Sequence, residues 1–462
     1  MTGKRVGDFE IIDVYDLLQE EYERFRDEHD DFEWWQEGET RYSAEDYHHL
    51  LFGELQPGQE IAVTKYFGSD DNIVIPDEAT QLNEGLFEGN AKIKSVIIPD
   101  SVNTIGVNAF KNCTALTDVK LGKCVKDICA YAFCGCKSLK QIELPRGLTV
   151  IRRGAFMECG LTSVTVPGSV ENVCEHAFWD CTSLSSVSLE NGIKRIHSGA
   201  FKGCRALKNI TLPQSLTQVE LYAFFDSGIE DLYIPKNVSD VSKCSYLNSR
   251  TLKKIEVDPE NPHLVSKCNC LIRKSSGILI AAVGDFKLPD DGSLKKIDTW
   301  VFNGNRNLTE IDIPEGVTHL YHSVFECCAN LRRVSLPSTL EVVGESDFAG
   351  CDALEEIEIP GSVKEIEKEA FYCCGIRKVV IKRGVEVIGF NAFNGCKNLV
   401  EAYIPSSVYK IDCGLFNGEL FRDCNKNLCV YMEKRENGSH EYLARFLGKV
   451  KVKFIDRNEI FD

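Results

Sequence analysis

Apolar residues in this chain recur at fixed offsets from a phenylalanine that itself returns every 22 or 23 residues. The rings are Phe87, Phe110, Phe133, Phe156, Phe178, Phe201 and Phe224, then Phe302, Phe325, Phe348, Phe371, Phe393 and Phe416. An aliphatic residue sits eight before each ring (Val102, Val125, Leu148, Val170, Leu216, Val363) and another five before (Ile105, Ile128, Ile151, Val173, Ile196, Ile366). A small residue such as Ala109, Ala132 or Ala370 precedes the ring, and a leucine such as Leu116, Leu139 or Leu354 follows it by six. That leucine opens stretches such as LTDVKL, LKQIELP and LEEIEIP. Their period of two, often closed by proline, predicts a half-buried strand followed by a turn. One coil therefore reads as strand, turn, short irregular or helical segment, and back. A unit of this size cannot bury its apolar face alone, so coils must stack, with their strands side by side in a parallel sheet.

Pro235, Val238 and Val241 fall in phase between the two runs and place Tyr246 where a phenylalanine is due, which makes fourteen coils. Spacings of 22 follow Phe156, Phe224 and Phe371, each with a shortened segment around Gly160, Gly228 or Gly375, where glycine suits a tightened backbone.

The pattern Pro-x-x-Val-x-x-Ile-x-x-x-Ala-Phe-x-x-Cys-x-x-Leu-x-x-Ile, repeated over about residues 61 to 420, resembles the leucine-rich repeats of the BspA-type family. The resemblance implies an α/β leucine-rich-repeat solenoid, horseshoe-like, and a binding role, since such proteins are often bacterial or protozoan surface proteins. It carries over no catalytic residues.

Five segments follow from the pattern: 1–60, 61–257, 258–290, 291–428 and 429–462. The first holds 5 Lys and Arg against 18 Asp and Glu, so it carries −13 of the net −17 and the rest only −4. Helical spacing of Val14, Leu17, Leu18, Tyr22 and Phe25, and a capping box from Ser43 to Asp46 before Tyr47, Leu50 and Leu51, predict a helical cap for the first coil. Residues 258–290 interrupt the stack with a hairpin around Ser275-Ser276-Gly277, expected to brace the solenoid rather than reach for a ligand. Beyond Cys429, a helix over 439–447 and a lysine-bearing strand from Lys449 predict the second cap.

Nine of the 21 cysteines occupy one slot, three after the ring: Cys113, Cys136, Cys159, Cys181, Cys204, Cys328, Cys351, Cys374 and Cys396. A small buried side chain with a weak donor suits that turn. Stacked side chains hold their Cβ atoms ~4.8 Å apart, wider than the ~3.8 Å of a disulfide, so a reduced structural ladder is expected. Cys124, Cys129, Cys134 and Cys136 form a weak zinc candidate, four thiols in one coil without a Cys-x-x-Cys knuckle. Cys327-Cys328 and Cys373-Cys374 lie two coils apart, too far to share an ion, and His263 with Cys268 and Cys270 is weaker still.

The chain shows no Gly-x-Ser-x-Gly, His-Glu-x-x-His, phosphate loop or dinucleotide fingerprint, and no cofactor is expected. His48-His49 beside Glu45 and Asp46 reads as a solvated helix face. The acidic balance argues against nucleic acid, which needs clustered Lys and Arg. Met1 to Glu10 lacks the apolar core of a signal peptide, and no apolar run reaches the length of a membrane helix. Together with many thiols this predicts a cytoplasmic protein, with a secreted or cell-surface location as the alternative. The function expected is non-catalytic binding of a protein ligand. Polar residues that alternate with the core positions on the concave strand face would do it, with Asp231, Tyr233, Glu310, Asp312, Arg333, Glu356, Glu358 and Tyr403 as candidates. The alternatives are an exported adhesin and a metal protein built on the cysteine-rich coil.

Overall fold

A computed structural model describes residues 4–14, 18–19, 34–37, 40–43, 60–220, 222–241, 251–412, 414, 419–435 and 440–456. The chain divides into two compact units, Met1–Ile229 and Glu230–Asp462. Both are parallel β-solenoids, with about sixteen turns traced by the described residues where the spacing gave fourteen. In the two long sheets the strands Ile61–Tyr66 and Ile278–Ala282 precede the first phenylalanine of their runs.

Most regular coils carry two strands where alternation indicated one, while residues 139–144 and 207–212 form no strand of their own. The expected strand, such as Asp118–Lys120, Ser163–Val166 or Glu356–Ile359, pairs in parallel with its neighbours but only in short groups of two to five. The continuous ladder is a second strand of two residues ending on the aliphatic five before the ring. In the first unit it runs through Thr104–Ile105, Asp127–Ile128, Val150–Ile151, Asn172–Val173, Arg195–Ile196 and Gln218–Val219. Two residues give too little alternation to register as a strand in sequence. Repetition every 23 residues supplies the pairing that length does not.

The segment around the ring is a chain of turns and not a helix, because the residues two before and two after the ring hold a left-handed backbone. Asn108 and Asn112 (φ 55° and 60°) flank Phe110, and His176 and Asp180 (56° and 54°) flank Phe178. Left-handed residues at both places prevent a continuous helical run. Alternate N–H groups then point along the stack instead of along the segment. Asn108, Phe110 and Asn112 donate to the carbonyls of Ala130, Ala132 and Cys134 one coil on, while Ala109, Lys111 and Cys113 close local turns onto Gly106, Asn108 and Phe110. Among the described residues successive coils are thereby hydrogen-bonded through the turn face as well as through strands.

Between these walls the rings stack. From Phe87 to Phe224 successive centroids lie 5.1, 5.1, 5.4, 5.4, 5.3 and 5.9 Å apart. From Phe302 to Phe393 they lie 5.1 to 5.2 Å apart with interplanar angles of 10° or less. Most rings are fully buried, each contributing about 1.5–3 kcal/mol from burial and about 0.5–1.5 kcal/mol more per offset pair. The last ring of the second stack is Phe421, 5.8 Å from Phe393. Phe416, assigned to that slot by spacing, lies outside the described residues, as does Tyr246.

Antiparallel hairpins begin both ladders. Lys4–Val6 and Phe9–Asp13 pair and lead into Ile61–Tyr66, and Phe9 and Tyr66 lie against Phe87. In the second unit Leu264–Lys267, Cys270–Arg273 and Ile278–Ala282 do the same, and Phe286 stacks on Phe302 at 5.2 Å. The N-terminal cap is thus a hairpin in its described part, where helices were expected. An open solenoid end needs its strand edge paired, which a hairpin does directly. Of the expected helices over 14–25 and 47–51, only Val14, Leu18 and Gln19 fall among the described residues, with helical backbone. His48, His49, Glu45 and Asp46 lie outside them. The second unit ends with the helix His440–Ala444 and the strand Lys451–Ile455, paired in parallel with Cys429–Glu433.

Candidate functional site

All eight candidate binding residues belong to the second unit. Alternation turns their neighbours inward: in Glu356–Ile359 the burial pattern is exposed, buried, exposed, buried. Ile357 and Ile359 join the core while Glu356 and Glu358 stand outward. A strand of this kind fixes its outward side chains by backbone geometry alone, since register sets the face.

Glu310 and Asp312 pair in register with Arg333 and Ser335 on the adjacent strand. The Arg333 guanidinium forks between them, donating from Nη1 to Asp312 at 2.7 Å and from Nε and Nη2 to Glu310 at 3.3 and 3.2 Å. Those hydrogen bonds hold the Asp312 carboxyl below its ordinary value and raise the arginine. All three side chains remain more than half exposed, so the pairs order the surface more than they stabilise it. Arg333–Ser335 lies beside Glu356–Ile359, and Lys382 approaches Glu358 at 3.6 Å.

From there one sheet of five strands continues through Lys378–Ile381, Glu401–Ile404, Cys429–Glu433 and Lys451–Ile455. Register places Glu358, Val380, Tyr403, Tyr431 and Lys453 in one row across it. Tyr403 and Tyr431 stack at 4.7 Å and 9°. Lys378 Nζ stands 5.8 Å from the first ring and Lys453 Nζ 5.1 Å from the second, one cation at each side of the pair. Burial, then the nearby Glu401 carboxylate that accepts from its hydroxyl, pushes the Tyr403 phenol up to about 12. At the end of the Tyr431 strand Arg383 forks onto the buried Glu433, which also accepts the Ser406 N–H at 2.8 Å. Burial opposes the charge of Glu433, and the Arg383 and Ser406 hydrogen bonds overcome it and leave the carboxyl below its ordinary value.

Asp231 and Tyr233 stand on a different sheet, paired in register with Lys254 and Glu256. Tyr233 is 44% exposed, and its hydroxyl donates to Asp258 at 2.9 Å. This ties it to the start of the inserted hairpin. The structure therefore joins Glu310, Asp312 and Arg333 in one cluster, sets Glu356 and Glu358 on the next strand and Tyr403 beyond it, and leaves Asp231 and Tyr233 on a separate sheet. Tyr431 and Lys453 went unnoticed in sequence because residues from 429 were read as a cap. The alternation in Cys-Val-Tyr-Met-Glu was the signal.

Each of the nine thiols in the repeat slot is buried and free. Most donate to the carbonyl of the ring one coil earlier, as Cys113 to Phe87 at 3.1 Å, Cys159 to Phe133 at 2.9 Å and Cys328 to Phe302 at 2.9 Å. Burial pushes the Cys113, Cys181, Cys328 and Cys374 thiols up to about 12. Cys424 takes the same slot after Phe421, donating to Phe393 at 3.1 Å.

The zinc candidate does not assemble. Cys136 donates to Phe110, Cys124 is exposed, Cys129 lies by Arg152 and Asp127, and Cys134 by Glu158 and Lys111. A coil threads its residues around its perimeter, so proximity in sequence disperses them. Among the described residues no three His, Cys, Asp or Glu side chains converge to hold a metal, those of His263, Cys268 and Cys270 included. Nor is any helix among them long and apolar enough to cross a membrane.

The model of the BspA-type leucine-rich repeat region matches residues 65–185, 176–270, 282–400 and 320–425. Among solved structures, a leucine-rich cell surface protein from Faecalibacterium prausnitzii is 26% identical, with a TM-score of 0.53 over 85% of this chain and 94% of its own. A leucine-rich repeat protein from Bacteroides ovatus is 22% identical with a TM-score of 0.51, covering 86% and 96%. The pneumococcal vaccine antigen PcpA is 17% identical with a TM-score of 0.50, covering 86% and 94%; these last two share the fold. A comparison with curated proteins finds no match. With the repeat matched over most of its length, and the ring stack and double ladder to match, the chain belongs to the BspA-type leucine-rich-repeat family.

Proposed function

We propose that this protein is a non-catalytic binding module that holds a protein ligand on the outward strand face of its second unit. The supporting observation is the row from Glu310, Asp312 and Arg333 through Glu356 and Glu358 to the Tyr403–Tyr431 pair. Its acids offer complementarity to a basic patch and its stacked rings offer an anchor of low conformational cost. Asp231 and Tyr233 form a subsidiary part of the same proposal.

Affinity capture from the source organism tests it, comparing wild type with Glu356→Lys/Glu358→Lys after melting curves have shown both folded. The partner is expected to be retained by wild type and at least ~30-fold weakened in the variant, the scale of a hot spot of about 2 kcal/mol, with affinity falling as salt rises. Equal capture by both would sink the assignment.

A second reading, that the protein acts at the cell surface as an adhesin, is favoured by its likeness to the Faecalibacterium prausnitzii protein described as a cell surface protein. Protease treatment of intact source cells separates the two locations, since only surface-exposed protein is degraded.

A further inference from the structure

Among the described residues, the first unit begins its wall of outward strands on an unpaired edge and the second unit ends that wall on another. In the first unit the hairpin Lys4–Val6 and Phe9–Asp13 extends the long ladder beyond Ile61–Tyr66, but the other wall stops at Asn72–Val74. The Asp71 carbonyl and the Ile75 N–H bond to Ser95 and Ile97, so parallel alternation turns the N–H and C=O of Asn72 and Val74 away from their own sheet. Trp34–Glu37 and Thr40–Ser43 pair only with each other and leave this edge open. Between the edge and the hairpin turn at Gly7 lies a cleft of about 450 Å³. Its lining includes Asp8, Asp70, Asp77 and Glu78 and no basic side chain. Asp8 has Arg5 at 3.7 Å, whereas no ion pair engages the other three among the described residues.

The edge in the second unit has the opposite charge. Its last strand is Lys451–Ile455, where the Lys451 N–H donates to Leu428 and the Ile455 carbonyl accepts from Lys434. Alternation therefore turns the backbone groups of Val452 and Phe454 to the open side. Lys449, Lys451 and Lys453 are exposed along this edge. Phe454, in register with the buried Met432, is still 38% exposed because no further strand covers it. Lysines repel a second lysine edge and carboxylates a second acidic one, so each edge discourages pairing with its own kind. Edges of opposite charge attract.

We propose that copies of this chain associate head to tail, the Lys451–Ile455 edge of one copy adding in parallel to the Asn72–Val74 edge of the next. The pleat fixes the register, since core-side residues must oppose core-side residues. Val452 then faces Ile73, while Lys451 and Lys453 lie beside Asn72 and Val74 on the outer side, where Val74 is 63% exposed. The same register carries Lys449 to Asp70. Each copy retains one edge of either kind, so the contact is heterologous and propagates as rings or open chains instead of closing as a two-fold dimer.

Sedimentation velocity of the full chain over rising concentration tests this. Wild type is expected to form species that grow with concentration and dissociate as salt rises. Asp70→Lys/Asp77→Lys and Lys449→Glu/Lys451→Glu, each shown folded by melting curves, should each self-associate at least ~10-fold more weakly. Mixed in equal amounts the two variants should associate again, because the basic first edge of one then meets the acidic last edge of the other. Val74→Pro removes an N–H that faces away from its own sheet, so it should keep the fold and lose the association. A wild-type monomer at every concentration would overturn the proposal and leave the cleft to a basic segment of another protein. Variants that fail to restore association on mixing, or association that survives Val74→Pro, would overturn it as well.

Discussion

Asp347 breaks the repeat at a place where ten other coils carry alanine or valine, one before the ring. It is fully buried, and its carboxylate accepts the Val324 N–H at 3.1 Å and the Gly344 N–H at 2.7 Å. Elsewhere the N–H equivalent to that of Gly344 donates back to the preceding coil, as Gly106 does to Leu82. Here the pairing of His319–Leu320 with Val342–Val343 shrinks to one residue pair. Burial raises the Asp347 carboxyl from 3.8 to about 8, against the two backbone hydrogen bonds and with a further rise from the Glu367 charge. A carboxyl that binds its proton more tightly folded than unfolded stabilises the fold below its unfolded pKa and loses that contribution as pH rises through the folded value. Between pH 4 and pH 8 the melting temperature of wild type is therefore expected to fall relative to that of Asp347→Asn. Parallel slopes for the two proteins over this range would show that the folded carboxyl binds its proton no more tightly than the unfolded one.

Among elements, the turn face shows how one coil dictates the sequence of the next. Gly154 and Gly199 hold φ near +62°, and a Cβ on either would lie 2.5 Å from the ring of Tyr131 or His176 one coil earlier. Both constraints act on the same residue. Gly154→Ala is expected to cost about 2 kcal/mol, roughly half from the left-handed backbone and half from the ring. Tyr131→Ala in the same chain should restore the second part but not the first. A double-mutant cycle by denaturant unfolding reads this as a coupling of at least ~0.5 kcal/mol, and strict additivity would mean that the ring moves aside freely.

The same elements mark what could be read in advance. The ring period, the aliphatic offsets and the alternating strand were legible because each repeats a one-dimensional constraint thirteen or more times. The two-residue ladder was not, because its partner lies 23 residues away and its own pattern is a single aliphatic. The left-handed flanks were half visible, as glycine at Gly135, Gly154, Gly199 and Gly203, but hidden where Asn112, Tyr131, His176 and Asp180 adopt the same backbone. Of the binding candidates, outward direction was readable from alternation. Which of them meet was not, because Arg333 reaches Glu310 and Asp312 through inter-strand register.

At the scale of the whole molecule, the thiols change meaning. Twenty-one cysteines suggest a reducing compartment when exposure is unknown. Burial and parallel stacking protect the ladder wherever the protein resides, so abundance of thiols carries little information about location. Their protection reports stability instead. A solenoid couples each coil to its neighbours through strands, turn-face hydrogen bonds and rings, and such nearest-neighbour coupling, when strong, makes a run of coils open together. Pulsed labelling with a thiol reagent under native conditions is thus expected to modify Cys124, Cys268, Cys327 and Cys373 at once. Cys113, Cys136, Cys159, Cys181 and Cys204 should follow at one shared slow rate and Cys328, Cys351, Cys374 and Cys396 at another. Each of these sets belongs to one unit with its own hairpin and ring stack. Rates that instead rise coil by coil toward an end would mean that the rungs fray singly, and that coupling between neighbouring coils is weaker than the stacked rings imply.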